Sequence, residues 1–261
     1  MADQLNLVAK TYRYRELILN FVIRDMKSRY KGSVLGYLWT LLDPLLMMLI
    51  YVLIFSVVVR IKVENYPIYI LTGIVPWLFF SNSVTHAMLS LRENASLMMK
   101  VYFPRETFPI SQVVSGIVEF SLTLLILIPF LFAYHIPLGW RLLTLPGIVV
   151  VQVLLVAGVS LVLSILVAYL KDVANFMTAL LRIWFYLTPI LYPFTMVPVK
   201  YQFFFLLNPM AIIVCLYRWA ILGIKVPDIG MVVIGILLSL LFFMGGVWFF
   251  SINESDVIKR L

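Results

Sequence analysis

Charge is scarce in this chain. Only 12% of its 261 residues are Asp, Glu, Lys or Arg, while 63% are hydrophobic; an ordinary soluble domain carries about 25% charged residues. A soluble core of this length does not need so much apolar surface, so lipid is the expected solvent for most of it. Cysteine is nearly missing too. Cys215 alone excludes an internal disulfide and any cysteine-based metal site. Histidine occurs twice, and His86 stands isolated in an apolar stretch. No Gly-x-x-x-x-Gly-Lys-Ser/Thr run exists, so the sequence carries no phosphate loop for ATP. Paired carboxylates at catalytic spacing, a metal-ligand cluster and a nucleophile with its base are also missing. These gaps argue against an enzyme, a metal or a cofactor on this chain. The net charge of +8 sits in end segments and loops, which suits topology and contact with anionic lipid. It forms no exposed basic domain of the kind a nucleic acid needs. Nor does the start resemble a cleavable leader, because roughly thirty polar and basic residues come first with no small-residue cleavage pattern.

What is present is long apolar runs. An all-α membrane protein follows, with six segments near the roughly 20 apolar residues that span a bilayer: 34–59, 68–91, 108–134, 142–170, 175–191 and 230–250. Residues 1–32 form a separate cytoplasmic segment ahead of a transmembrane unit, 33–261. With both termini cytoplasmic, the inner segments collect Lys10, Arg13, Arg15, Arg24, Lys27, Arg29, Lys31, Arg92, Lys100, Arg105 and Lys171, with Lys259 and Arg260 at the end. The outer loops keep only Arg60, Lys62, Arg141, Lys200, Arg218 and Lys225, a bias that fixes orientation. A multi-pass protein of the cytoplasmic membrane is the consequence.

Prolines punctuate the runs. Asn208-Pro209 splits the stretch 201–223 into two arms too short to cross, because proline removes a donor and clashes with the preceding turn. Pro189 similarly ends the fifth segment. A re-entrant outer helical hairpin is therefore expected between the fifth and sixth spans, with Pro189, Asn208 and Pro209 at an outer gate. Asp43-Pro44 reads either as a cap where the first span restarts or as a kink within a continuous helix. Before that span, Arg13, Glu16, Asn20, Arg24, Lys27 and Lys31 share one helical arc. Leu17, Ile18, Phe21, Val22 and Met26 share the other, as in an amphipathic helix lying on the membrane with its apolar side down.

The loop after the second span holds Asn94, Met99, Lys100, Tyr102, Phe103, Pro104, Arg105 and Glu106. A hydrophobic knob of Met99, Tyr102 and Phe103 ringed by charges suits insertion into a partner's cleft.

Residues 24–49, that loop with Pro109, Gly73-Ile74-Val75-Pro76-Trp77, Thr188-Pro189-Ile190-Leu191-Tyr192-Pro193, and Asn208-Pro209-Met210 with Arg218 resemble, in order, the ABC-2-type permeases that export bacterial polysaccharides. The O-antigen exporter subunits are the nearest in pattern; teichoic-acid and capsule exporters are related. The resemblance implies a two-fold homodimer working with two copies of a separate ATP-binding cassette subunit, which would hold ATP and magnesium. It implies that the 94–106 loop docks on that subunit. The substrate it implies is a polysaccharide linked to an undecaprenyl carrier, and Arg24, Lys27, Arg29 and Lys31 become candidate partners for the carrier's pyrophosphate. A drug permease or channel without a polymer substrate remains the alternative from another class.

Two further sets need placing. Tyr37, Trp39, Phe79, Phe80, Trp184, Phe185 and Tyr186 lie within spans, where rings serve either as interface belts or as flat walls for a sliding sugar polymer. Glu119 and Arg182 are intramembrane charges, each costing about 2.5–3.5 kcal/mol alone. Their estimated depths differ by roughly 6 Å at 1.5 Å per residue, so an ion pair between the third and fifth spans is expected.

Overall fold

The computed structural model describes residues 12–100, 103–225 and 228–257, and every regular element among them is a helix. Helix α1, Arg15–Tyr30, precedes the membrane part. The first span enters through a 3₁₀ turn at Gly36–Leu38, continues as α2, Trp39–Val52, and widens into a π-helical end at Leu53–Val58. Asp43 caps nothing, since α2 starts at Trp39 and carries Pro44 inside it. Proline at 44 leaves the carbonyl of Thr40 without its helical donor. The Thr123 hydroxyl of the neighbouring helix lies 3.5 Å from that carbonyl, while its proton goes to the Glu119 carbonyl at 2.8 Å.

Helix α3, Tyr66–Glu93, is the axis of the fold and about 42 Å long at 1.5 Å per residue. After the short α4, Ala95–Met98, the chain returns as α5, Thr107–Leu124, and α6, Leu127–Ala133. Helix α7, Leu145–Tyr169, and α8, Asp172–Leu187, follow. Two shorter helices come next, α9, Val199–Leu206, and α10, Pro209–Leu222. The final span is α11, Ile229–Val257.

Among the described residues five helical stretches are long and apolar enough to cross a membrane: Gly36–Val58, Tyr66–Glu93, Thr107–Ala133, Trp140–Tyr169 and Ile229–Val257. A sixth is reached only by counting α9 and α10, bent at 99°, as one. The segment 175–191 expected as a span is therefore a shorter element. Helix α8 has 16 residues, roughly 24 Å against a hydrocarbon core of about 30 Å. Thr188 turns extended at its end, as a residue before proline must.

Two glycines bring backbones together. A Cβ at Gly158 would strike the carbonyl of Phe242, and one at Gly246 would strike the backbone of Gly158. Helices α7 and α11 therefore touch backbone to backbone, the close approach that small residues allow within lipid. Buried Gln152 ties this unit to its neighbours. It donates to the Pro76 carbonyl at 2.7 Å and accepts from the Tyr217 hydroxyl at 2.8 Å.

Helix α1 does not lay its apolar side on lipid. Ile18, Phe21, Val22 and Met26 are buried against protein, packing with Ile110 and Val114 of α5 and with Phe108. Leu19 and Ile23 stay exposed. The apolar arc is spent on α5, which brings the polar arc's edge to the membrane part.

Candidate functional site

That docking creates a charged seam. Arg29 donates to Glu119 Oε1 and to Gln112 Oε1, both at 2.7 Å, and Gln112 donates in turn to Asp25. The Tyr30 hydroxyl reaches Glu119 at 3.4 Å. Burial, and then the Glu119 carboxylate, push the Tyr30 phenol up to about 12. Glu119 is thus satisfied from α1, and the expected pair with Arg182 does not form. Arg182 is exposed on α8. Shared depth was the argument for that pair, but depth says nothing about which way around its helix a side chain points.

Of the other basic residues on α1, Arg24 bonds its neighbour Asp25 at 2.8 Å and lies over the Phe21 ring. Lys27 and Lys31 are exposed. Arg29 alone turns inward.

Behind this seam lies a cleft of about 230 Å³, walled by α1, α2, α3 and α5. Asp43, Asn82, Ser83, His86 and Glu119 contribute its polar lining, and Trp39, Phe79 and Phe120 its apolar side. His86, isolated in the sequence, therefore shares a cavity with two carboxylates. A second cleft of about 370 Å³ opens between α2, α3 and α8, where Tyr51, Trp77, Phe185 and Tyr186 meet Ser81, Thr85, Thr178 and Arg182. Both clefts are lined by Leu78 and Asn82, so the polar surface runs on from one into the other along α3.

The candidate aromatics divide. Tyr37, Trp39 and Tyr186 are exposed. Phe80 is wholly buried and meets Trp184 edge-on at 5.2 Å, so it faces no path. Phe79 stacks on Phe120 at 4.9 Å beside the first cleft. Phe185 meets Tyr51 at 5.7 Å across the mouth of the second.

At the opposite end, a clasp holds the segment after α8. Arg218, read from sequence as an outer-loop charge, is 2% exposed inside α10. Its guanidinium donates to the carbonyls of Pro189 and, at 2.6 Å, Ile190, and lies 3.7 Å from the centre of the Tyr69 ring. Tyr66 and Tyr69 donate to the next two carbonyls, Leu191 at 2.7 Å and Tyr192 at 3.2 Å. Asn208 caps α10 by accepting from Ala211 N at 3.2 Å, and it also joins Trp184 at 2.9 Å and Thr188 at 3.0 Å. Pro209 is buried at the first turn of α10. Sequence reasoning missed Arg218, Tyr66 and Tyr69. The signal was an arginine inside an otherwise apolar helical run, which is costly in lipid without partners.

The loop expected to carry a docking knob is only partly exposed. Met99 and Lys100 point outward. Phe103 instead packs between Phe21 and Phe108, with ring centres 6.0 and 5.3 Å away. Arg105 donates to the Glu254 carbonyl, and Glu106 is buried at the start of α5. Asn94 caps α3 through Ser90 at 2.8 Å, and Pro104 is half-buried. Tyr102 lies outside the described residues. Among the described residues, no three His, Cys, Asp or Glu side chains converge as a metal site.

Comparison with known proteins decides the family. The model of the ABC-2 type transporter matches residues 16–222. The chain belongs to the ABC-2 type transporter family. This permease is 33% identical over 226 residues to the O-antigen export system permease protein RfbA of Myxococcus xanthus, covering 86% of this chain and 87% of that protein. It is 36% identical over 205 residues to the RfbA protein of Klebsiella pneumoniae, covering 78% and 79%. The polysialic acid transport protein KpsM of Escherichia coli is more distant, 21% identical over 212 residues, 77% of this chain and 79% of that one. The match begins at α1 and ends at α10, so it takes in the charged seam, both clefts and the clasp of the permease.

Proposed function

We propose that this permease is the membrane subunit of an ATP-driven exporter, and that its cargo is an O-antigen chain on an undecaprenyl pyrophosphate carrier. The observation that carries the reading is the pair of joined polar clefts, walled in part by aromatic rings, beside a helix that exposes Lys27 and Lys31. A polymer of hydroxyls and apolar ring faces needs such a mixed surface, and a carrier phosphate needs the cations. The similarity to O-antigen export permeases names the cargo class.

Two copies of the chain join two ATP-binding subunits, which hold ATP and magnesium; the chain's own sequence lacks their phosphate loop. The assembly sits in the cytoplasmic membrane with both termini inside. Helix α1 lies at the inner interface, and α8 completes a six-span bundle with α9 and α10 as an outer re-entrant hairpin. Exposed Met99 and Lys100 meet the ATP-binding subunit.

Deleting the gene in its own host tests this. Surface O-antigen should disappear while the lipid-linked polymer accumulates inside, and the wild-type gene should restore export. Met99→Glu should restore membrane insertion but not export. Loss of a capsule with O-antigen retained would overturn the cargo, and loss of neither would overturn the exporter.

A further inference from the structure

We propose that the 230 Å³ cleft behind α1 is a saccharide subsite, which reads the sugar unit adjoining the carrier's phosphates. The proposal rests on the exporter reading but assigns a task to residues that it leaves unused.

The electrostatics of the cleft point away from a phosphate and toward a neutral ligand rich in hydroxyls. Asp43, Glu119 and Arg29 line it, and Arg29 is spent on Glu119, so the charge left over is that of a carboxylate, which repels an anion at close range. Carboxylates are strong acceptors for hydroxyl donors, and such charge-assisted bonds are the strong ones. Glu119 is held for this role. Its Oε1 is engaged by Arg29 and Tyr30, while Oε2 has no hydrogen bond among the described residues. Asp43 is exposed and has no side-chain hydrogen bond or ion pair among them either.

A second observation is independent of the carboxylates. Ser83 is 2% exposed and lines the same cleft beside Gly116, and its hydroxyl has no hydrogen-bond partner among the described residues. Leaving such a group unsatisfied costs free energy that a ligand hydroxyl would recover. Trp39 and Phe79 supply the apolar wall that the C–H face of a pyranose requires. The volume equals about eight waters at roughly 30 Å³ each. That is room for a single hexose. The order along the molecule is consistent. Phosphates on the exposed cations of α1 would leave the first sugar in this cleft, and Asn82 passes the following units to the second cleft.

The test uses the permease bound to its ATP-binding subunit in nanodiscs. Probes are the glucosyl and N-acetylglucosaminyl esters of farnesyl pyrophosphate. The control is the methyl ester, which has equal charge and no sugar. One charge-assisted hydrogen bond corresponds to about tenfold in affinity, so at least one glycosyl probe should bind about tenfold tighter than the methyl ester. That preference should fall to within about twofold in Asp43→Asn and in Ser83→Ala, with methyl-ester affinity unchanged, and persist in Arg182→Gln. Equal affinities for wild type, or a preference that survives both cleft variants, would overturn the subsite. Failure of every probe to bind in a protein that still exports polymer would remove the subsite and leave the exporter standing. Absence of export in cells would remove the exporter first.

Discussion

Replacing Arg29 with methionine removes the side chain that fastens α1 to α5, and its cost can be worked from the geometry. Arg29 and Glu119 meet at 2.7 Å with side chains 19% and 14% exposed. Removing one partner of a fully buried pair costs about 3–5 kcal/mol, whereas a solvent-exposed pair is worth less than about 1. These exposures lie nearer the buried limit. Arg29→Met also strips Gln112 of its donor and leaves Glu119 only the long bond from Tyr30, so about 3 kcal/mol is expected. Glu119→Gln should cost less, about 1–2 kcal/mol, because Gln112 still holds the guanidinium. The double variant should lose about 3 kcal/mol, well short of the sum. Thermal denaturation in nanodiscs checks this. At about 2–4 °C per kcal/mol for a chain of this size, Arg29→Met should melt roughly 6–12 °C lower. Additive penalties within about 0.5 kcal/mol would refute the pair. So would coupling of Glu119→Gln to Arg182→Met, which should be additive because Arg182 is exposed on another helix.

Arg218→Met leaves the carbonyls of Pro189 and Ile190 without donors and should cost at least about 3 kcal/mol. Arg218→Lys should not rescue it, since one ammonium cannot reproduce the planar fork over Tyr69; recovery of wild-type melting by lysine would refute the clasp. Gly246→Leu should abolish folded protein, because its side chain meets the backbone of Gly158, while Gly245→Ala, with nothing within 4 Å, should be silent in the same expression assay. In a Cys215→Ala background, cysteines at Gln202 and Lys225 should both react with an impermeant thiol reagent added outside; labelling of Lys225→Cys only from inside would mean that α9 and α10 cross the membrane. Cross-linking cysteines at Tyr51 and Phe185 should stop export without releasing the ATP-binding subunit, and unimpaired export would show that the second cleft need not widen.

The apolar runs and prolines made most of this architecture legible. Four of the five stretches long enough to cross lie within about two residues of their expected bounds, the last running on from the expected 250 to Val257, and Asn208-Pro209 opens a new helix because asparagine caps and proline fits the first turn. Partnership was less legible. Hydropathy gives the depth of Glu119 but not its azimuth, so depth matching proposed Arg182 when the partner is Arg29, ninety positions away in sequence. Arg29 was hard to assign because a basic residue next to a first span also serves topology. Only the burial of Phe21, Val22 and Met26 on protein turns it inward. Phe103 misleads for a related reason. An aromatic in a short charged loop suggests a knob, yet Phe21 and Phe108 offer it a nearer hydrophobic partner. Arg218 carries the same lesson in reverse, since counting it as a loop charge overlooks its apolar neighbours from Met210 to Leu222.

The distribution of burial separates what holds the fold from what borders the clefts. In the membrane window of α3, 78% of residues are buried, and in the stretch Trp140–Tyr169, 61%; for the first span the figure is 6%. Helices α3, α5, α7 and α11 form the body, and the contact of α7 with α11 is backbone on backbone, which leaves no side chain to readjust. A close-packed interior of that kind resists gradual deformation. The first span and α8 are different. Helix α8 buries only Leu181 and Phe185, yet these two helices supply most of the second cleft's wall opposite α3. Across that cleft Tyr51 stacks on Phe185 and shares a hydrogen bond with Tyr186. Widening it therefore requires separating aromatic faces, worth about 0.5–1.5 kcal/mol beyond area burial, and breaking that hydrogen bond, with no rearrangement of the body. The Leu187 end of α8 cannot move alone. Trp184 and Thr188 are bonded to Asn208, and the residues just beyond are held by Arg218, Tyr66 and Tyr69. Motion of α8 at its Leu187 end thus carries α9 and α10 with it or breaks a clasp of buried hydrogen bonds, whereas motion at its Asp172 end does neither. The second cleft is built where the fold is least fastened, and the clasp sets which end of α8 is the pivot.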